Sequence, residues 1–194
     1  MKLCAVIGPI ASGKTELMSY LAKKYPVFNL DTIFNDLLTT KGVVAHNMKN
    51  EVLVLFPQIM TQNQYDKDKM RKLFFEDLKL LESFEKCVYP FVWEKLIEEL
   101  NKIKGKQWVF IEGVKLYKEE FRSKFDKYLA ITAPKEIRKT RVLNRDSYMT
   151  EELFEKIENS ISWGTVLKAC DYTLINDSDL ESLHVQTNKF LDTI

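Results

Sequence analysis

Short apolar runs alternate with stretches of helical periodicity along this chain. Leu3–Ile7, Val27–Leu30, Trp108–Ile111, Tyr128–Thr132 and Tyr172–Ile175 read as five strands, and their separation by helical patterns predicts a parallel, doubly wound sheet. Pro134 suits the first turn of one helix, and Ser178, Asp179, Leu180 and Glu181 read as a capping box opening another. From about Asp31 to Lys106 no strand pattern occurs. Phe91, Leu96, Ile97, Leu100 and Ile103 recur there at helical spacing, with Lys41–Asn50 expected as a loop. The expectation is one α/β domain over 1–194 with a helical insertion at about 32–106. Its place on the carboxyl side of the sheet is where a substrate region would sit.

Composition narrows the picture. At 194 residues the chain is long enough for one core plus a lid, and a net charge of +1 advertises no broad nucleic-acid surface. No window approaches 18 uninterrupted apolar residues, so no membrane span is expected. The first apolar run is broken by Gly8 and Pro9 after five residues and is followed by a basic amphipathic segment, which argues against a secretory signal. Cys4, Cys87 and Cys170 are far apart and odd in number, as expected of reduced thiols in a cytoplasmic protein. Nothing in the pattern fixes an oligomeric state.

The chemistry begins directly after the first strand. Gly8-Pro-Ile-Ala-Ser-Gly-Lys-Thr15 is a complete G-x-x-x-x-G-K-[ST] phosphate loop, followed by a helix with Leu17, Met18 and Leu21 on its apolar side. Glycines let backbone N–H groups turn inward around an anion, and the helix start directs its positive dipole end at the same charge. Lys14 is then positioned for the β- and γ-phosphates of a nucleotide, and the Thr15 hydroxyl for Mg²⁺. A Gly-rich turn with a purely structural purpose needs neither residue.

A phosphate loop specifies a nucleotide but not a reaction. The guanine signature Asn-Lys-x-Asp is absent, which argues against a GTPase. Asp31 directly follows the second strand. The carboxyl ends of adjacent parallel strands share a crevice, so a carboxylate there is a candidate base for an acceptor hydroxyl; the competing reading is an N-cap for Thr32–Leu38. Glu112 closes the third strand and is a candidate for holding a Mg²⁺-bound water, or is simply a strand end. The 29 basic residues divide into 24 lysines and five arginines. Arg138, Arg141 and Arg145 fall on one helical face, a candidate phosphate clamp because guanidinium forks match phosphate oxygens as lysine does not; a solvated charged face is the alternative.

On these residues the chain resembles the dephospho-coenzyme A kinase family over nearly its whole length. The resemblance implies a P-loop kinase fold: a five-stranded parallel sheet flanked by helices, with a helical substrate region and an arginine-bearing lid at about 138–165. It rests on Gly8–Thr15, on Asp31, on Glu112, on Thr140-Arg-Val-Leu-Asn-Arg-Asp146 followed by Thr150-Glu-Glu-Leu, and on the strand ending at Asn176. It implies transfer of the ATP γ-phosphate to the 3′-hydroxyl of dephospho-coenzyme A. Lys14, Asp31 and Arg141 would be catalytic. Gly8, Ala11, Ser12, Gly13, Lys14, Thr15, Thr140, Arg141, Arg145 and Asn176 would bind nucleotide, and Asp31, Lys67, Tyr89, Pro90 and Glu112 would serve the acceptor. Lys67 stands where the family commonly has arginine and Tyr89 where it commonly has histidine. A nucleoside or nucleotide kinase is the rival within enzymes. The Glu-Arg-Ser run usual after the third strand of deoxynucleoside kinases is replaced here by Glu112-Gly-Val. A non-catalytic nucleotide-binding module is the rival outside them.

Overall fold

The computed structural model describes residues 1–61 and 64–194, which divide into two compact units: 1–29 with 105–194, and 30–104. The first unit is built on five parallel strands, β1 (Lys2–Ile7), β2 (Val27–Asn29), β5 (Trp108–Glu112), β6 (Lys127–Thr132) and β7 (Tyr172–Ile175), in the order β2-β5-β1-β6-β7. The expected parallel sheet is therefore present, with strand limits within a residue or so of those read from the sequence. Side chains on both faces of the central strands are buried, as covered parallel sheets require: Cys4, Ala5, Val6 and Ile7 of β1 and Val109, Phe110 and Ile111 of β5 are almost entirely shielded. Leu17 and Leu21 of α1 (Lys14–Leu21) and Leu183 and Phe190 of α10 (Leu180–Leu191) complete one core, against Val6, Phe110, Leu129, Ile131 and Leu174. Each such side chain contributes about 1.5–3 kcal/mol by leaving water.

Carboxylates fix the register at the amino ends of the strands. The Leu3 amide donates to Asp126 Oδ2 at 2.8 Å, and the Tyr128 amide to Asp171 Oδ2 at 2.8 Å. The unit also holds α6 (Glu119–Arg122), α7 (Lys135–Arg145), α8 (Glu151–Asn159) and α9 (Trp163–Lys168), the last three in the segment expected as a lid. Pro134 occupies the N-cap of α7, and Thr150 caps α8 by accepting from the Leu153 amide at 3.1 Å. The cap of α10 is Asp179, which accepts from the Ser182 amide at 2.8 Å. The capping box expected from Ser178 is thus shifted by one residue, with the Asp179 carboxylate taking the amide three positions on.

The second unit holds α2 (Leu30–Thr39), α3 (Val43–Leu55), a small hairpin of β3 (Met60–Thr61) and β4 (Gln64–Tyr65), α4 (Lys67–Glu76) and α5 (Leu78–Leu100). Phe84 of α5 is its hub: the rings of Phe34, Phe56 and Phe74 lie 5.8, 5.4 and 4.7 Å from it, joining α2, the end of α3 and α4 to one long helix. Two expectations are corrected here. Lys41–Asn50 is not a loop, since α3 starts at Val43 and buries Val44, Ala45, Met48 and Val52. The segment is not purely helical either, because the two-residue strands pair antiparallel through Met60↔Tyr65 and Thr61↔Gln64.

Candidate functional site

The phosphate loop takes its shape from two left-handed backbone positions and two close approaches. Ala11 has φ 57° and Gly13 φ 105°, and this alternation of handedness turns backbone N–H groups toward one concavity ahead of α1. A Cβ on Gly8 would collide with the Ile131 carbonyl of β6, and one on Gly13 with the side-chain amide of Asn176. Both glycines are thus required by packing, and Gly13 by its dihedral as well. The Lys14 ammonium arcs back over the loop and donates to the carbonyls of Gly8 at 3.0 Å and Pro9 at 2.9 Å. Thr15 is exposed on the first turn of α1.

Asn176 ties this loop to the far edge of the sheet. Its Nδ2 donates to the Ser12 carbonyl at 2.9 Å, its amide donates to the Thr132 carbonyl at 2.7 Å, and its own carbonyl accepts from Arg141 Nη2 at 3.1 Å. Its side-chain amide is therefore engaged by the phosphate loop. Two buried polar atoms here have no hydrogen-bond partner among the described residues: Ser12 Oγ and Arg141 Nη1. A shielded guanidinium nitrogen without an acceptor costs free energy unless something supplies one, and an anion at the loop would do so.

The three lid arginines do not act as one face. Arg138 is only 4% exposed, and its guanidinium grips the Glu158 carboxylate of α8, with Nη1 at 2.7 Å from Oε2, so its place in a phosphate clamp is corrected. The offsets of three and seven put the side chains on one stripe, but the first of them is covered by α8. Arg141 points to the end of β7. Arg145 lies at the exposed end of α7 in a forked pair with Asp146, at 2.9 and 2.8 Å. Thr140 is exposed on the same helix.

On the other side of β1, Glu112 closes β5 in register with Val6 and with Asn29 of β2. It is 8% exposed and accepts from Asn29 Nδ2 at 2.8 Å, a partner that sequence reasoning did not single out. This places a buried carboxylate one strand away from the chain entering the phosphate loop. The Thr15 hydroxyl and this carboxylate are both hard oxygen donors, the type that suits Mg²⁺.

The remaining candidates belong to the helical unit. Asp31 is the exposed second residue of α2, not its cap, so the capping alternative falls; an anion in a helix's first turn is favoured by the dipole. Asp66 caps α4 by accepting from the Lys69 amide at 3.0 Å, which leaves Lys67 exposed on that helix's first turn. Tyr89 is half-buried and Pro90 exposed in the middle of α5, whose helix runs through the proline although Pro90 offers no N–H to the preceding turn.

The sequence profile of the dephospho-CoA kinase family matches residues 3–182. A dephospho-CoA kinase from Fusobacterium nucleatum is 31% identical over 199 residues, spanning 99% of this chain and 98% of the relative. One from Thermus thermophilus is 27% identical over 93% of this chain and 86% of its own. A crystal structure of a Thermus thermophilus protein superposes with a TM-score of 0.82 at 26% identity, covering 100% of this chain and 97% of that one.

Proposed function

The chain belongs to the dephospho-CoA kinase family, and from that membership we propose a division of the reaction among its residues. The enzyme phosphorylates dephospho-CoA at the expense of ATP. The 3′-oxygen of the acceptor forms a bond to the γ-phosphorus, the bond from that phosphorus to the bridging oxygen breaks, and ADP leaves. Little covalent chemistry falls to the protein, so positioning and charge stabilisation dominate.

The loop amides around Ala11 and Gly13 cradle the phosphates. Lys14 exchanges its two loop carbonyls for the β- and γ-oxygens, a trade of neutral acceptors for charged ones that strengthens each hydrogen bond. Arg141 offers Nη1 to the transferring group. That buried nitrogen, without a hydrogen-bond partner among the described residues and in the same unit as the phosphate loop, is the observation that carries the donor-side reading. Thr15 through its hydroxyl, and Glu112 through a water, would hold a Mg²⁺ ion, which would supply charge neutralisation for the transferring phosphate.

On the acceptor side Asp31 takes the proton of the 3′-hydroxyl. It is exposed in the first turn of α2, where the helix dipole favours a negative charge. Lys67 supplies a cation for the acceptor's pyrophosphate, and Tyr89 a hydroxyl that can donate or accept, next to Pro90. Arg145, Thr140 and Asn176 complete the nucleotide side, Asn176 through the loop it braces.

The test is to incubate the protein with Mg²⁺-ATP and a panel of dephospho-CoA, nucleosides and nucleoside monophosphates, identifying products by mass. A mass gain of one phosphoryl group on dephospho-CoA alone is the expected result. Turnover of a nucleoside alone would move the acceptor assignment to a nucleoside kinase.

A further inference from the structure

The Arg138–Glu158 ion pair is shielded, with side chains 5% and 13% exposed. Its geometry extends beyond the pair. Arg138 Nε donates to the Ala133 carbonyl at 2.9 Å, at the turn from β6 into α7. Nη1 donates both to Glu158 and, at 3.5 Å, to the Ile10 carbonyl in the phosphate loop. One planar group therefore touches the loop, the turn leading into the arginine helix and the next lid helix. An apolar contact runs in parallel. Ile10 and Ala11 pack against the lid core of Val142, Met149 and Phe154, and the Arg138 guanidinium sits 6.0 Å from the Phe154 ring centre.

We infer that Arg138 is a positioning residue that sets the Ile10–Ala11 peptide of the phosphate loop through Glu158-braced contact with the lid. Ala11 is a non-glycine residue held at φ 57°, a conformation that its neighbours must enforce. The Ile10 carbonyl belongs to the peptide that enters it, so a donor on that carbonyl fixes the direction of the Ala11 N–H. A buried ion pair is weak evidence for stability, since desolvation offsets much of its attraction and well-packed apolar residues often replace it without loss. A three-way fork that only arginine can present is better evidence for orientation. The inference rests on the phosphate loop being the ATP site.

The test uses the full chain with three variants, Arg138→Lys, Glu158→Gln and the double variant Arg138→Met with Glu158→Leu. Steady-state kinetics and urea midpoints are measured on each. Arg138→Lys keeps the charge but cannot reach Ala133, Ile10 and Glu158 together. Its expected effect is a tenfold or greater fall in kcat/KM for ATP, with KM for dephospho-CoA within twofold of the parent. The apolar double variant should keep the parent's urea midpoint and still show that ATP-specific loss. Glu158→Gln, which leaves a neutral acceptor beside the guanidinium, should fall between Arg138→Lys and the parent. Parental ATP kinetics in either Arg138 variant overturns the inference. So does a loss that affects both substrates in proportion to a lowered midpoint, which marks a purely structural pair. If the double variant does not fold, Arg138→Lys alone decides on the same criteria. Failure of the underlying ATP assignment is distinct, because the parent itself would then not bind a non-hydrolysable ATP analogue.

Discussion

The two units place their functional groups by different physics. In the sheet unit the candidate groups interlock: Gly8 against Ile131, Gly13 against Asn176, Asn176 against Ser12 and Arg141, Arg138 against Ile10, and Glu112 against Asn29. In the helical unit Asp31, Lys67 and Pro90 are exposed side chains on three separate helices whose cohesion comes from an aromatic cluster around Phe84. As proposed, the donor-side groups sit on strand ends and loop backbone that contact one another, whereas the acceptor-side groups sit on helix surfaces. Loss of a donor-side group should therefore be read in ATP parameters, and loss of an acceptor-side group in turnover or acceptor parameters.

The largest expected effect is on Asp31→Asn. The amide is nearly isosteric but cannot take a proton as a charged base, so turnover should fall by roughly 10²–10⁴-fold with an unchanged melting temperature. A fall in melting temperature with normal turnover would make the residue a helix-dipole element only. Lys14→Ala comes next. Removing one charge-stabilising donor of this kind costs about 10²–10³ in turnover, roughly 3–4 kcal/mol, and the loop's packing glycines leave the fold intact. Steady-state assays beside thermal melts check both.

Arg141→Lys should cost about tenfold in kcat/KM for ATP with little change in stability. The charge survives, but no single ammonium can serve both the Asn176 carbonyl through one nitrogen and a phosphate through the other. Equal activity would reduce Nη1 to an unfilled packing position. The smallest effect concerns the thiols. Burial pushes both the Cys87 and the Cys170 thiol up to about 11, with the Glu51 charge reinforcing the rise at Cys87 and Arg122 opposing it at Cys170. A folded-state value above the unfolded one means that this stability is present below about pH 9 and is lost as pH rises toward 11. Iodoacetamide labelling at pH 8.5 should therefore be slow for both thiols until denaturant is added. Rapid labelling of native Cys87 would show that the helical unit opens locally.

The same contrast explains what the sequence disclosed. Gly8–Thr15 was legible because its chemistry is backbone chemistry, and glycine, lysine and threonine at fixed spacing leave few other uses. The parallel sheet was legible because its strands are continuous apolar runs. Arg138 was misread because helical offsets show which residues share a stripe but not whether a later helix covers it, and nothing at Glu158 marks it as the partner. The helix α3 was missed although Val44, Ala45, Met48 and Val52 keep helical spacing; Lys41, Gly42 and the polar residues between them mask the apolar stripe. Strands of two residues, like β3 and β4, are too short to show a period at all. Lys67 and Tyr89 rest on family resemblance alone, since exposed polar residues on helices carry no spacing signature.

The independence of the two sets of groups is tested most directly by one titration. The double variant Asp31→Asn with Lys67→Ala removes the proposed base and the proposed pyrophosphate partner from the helical unit, and is titrated calorimetrically with a non-hydrolysable ATP analogue and Mg²⁺. A Kd within twofold of the parent's is predicted, because the phosphate loop, Lys14 and Arg141 are untouched. A loss of tenfold or more, about 1.4 kcal/mol, would contradict the division by showing that the helical unit's carboxylate or lysine helps to hold the nucleotide.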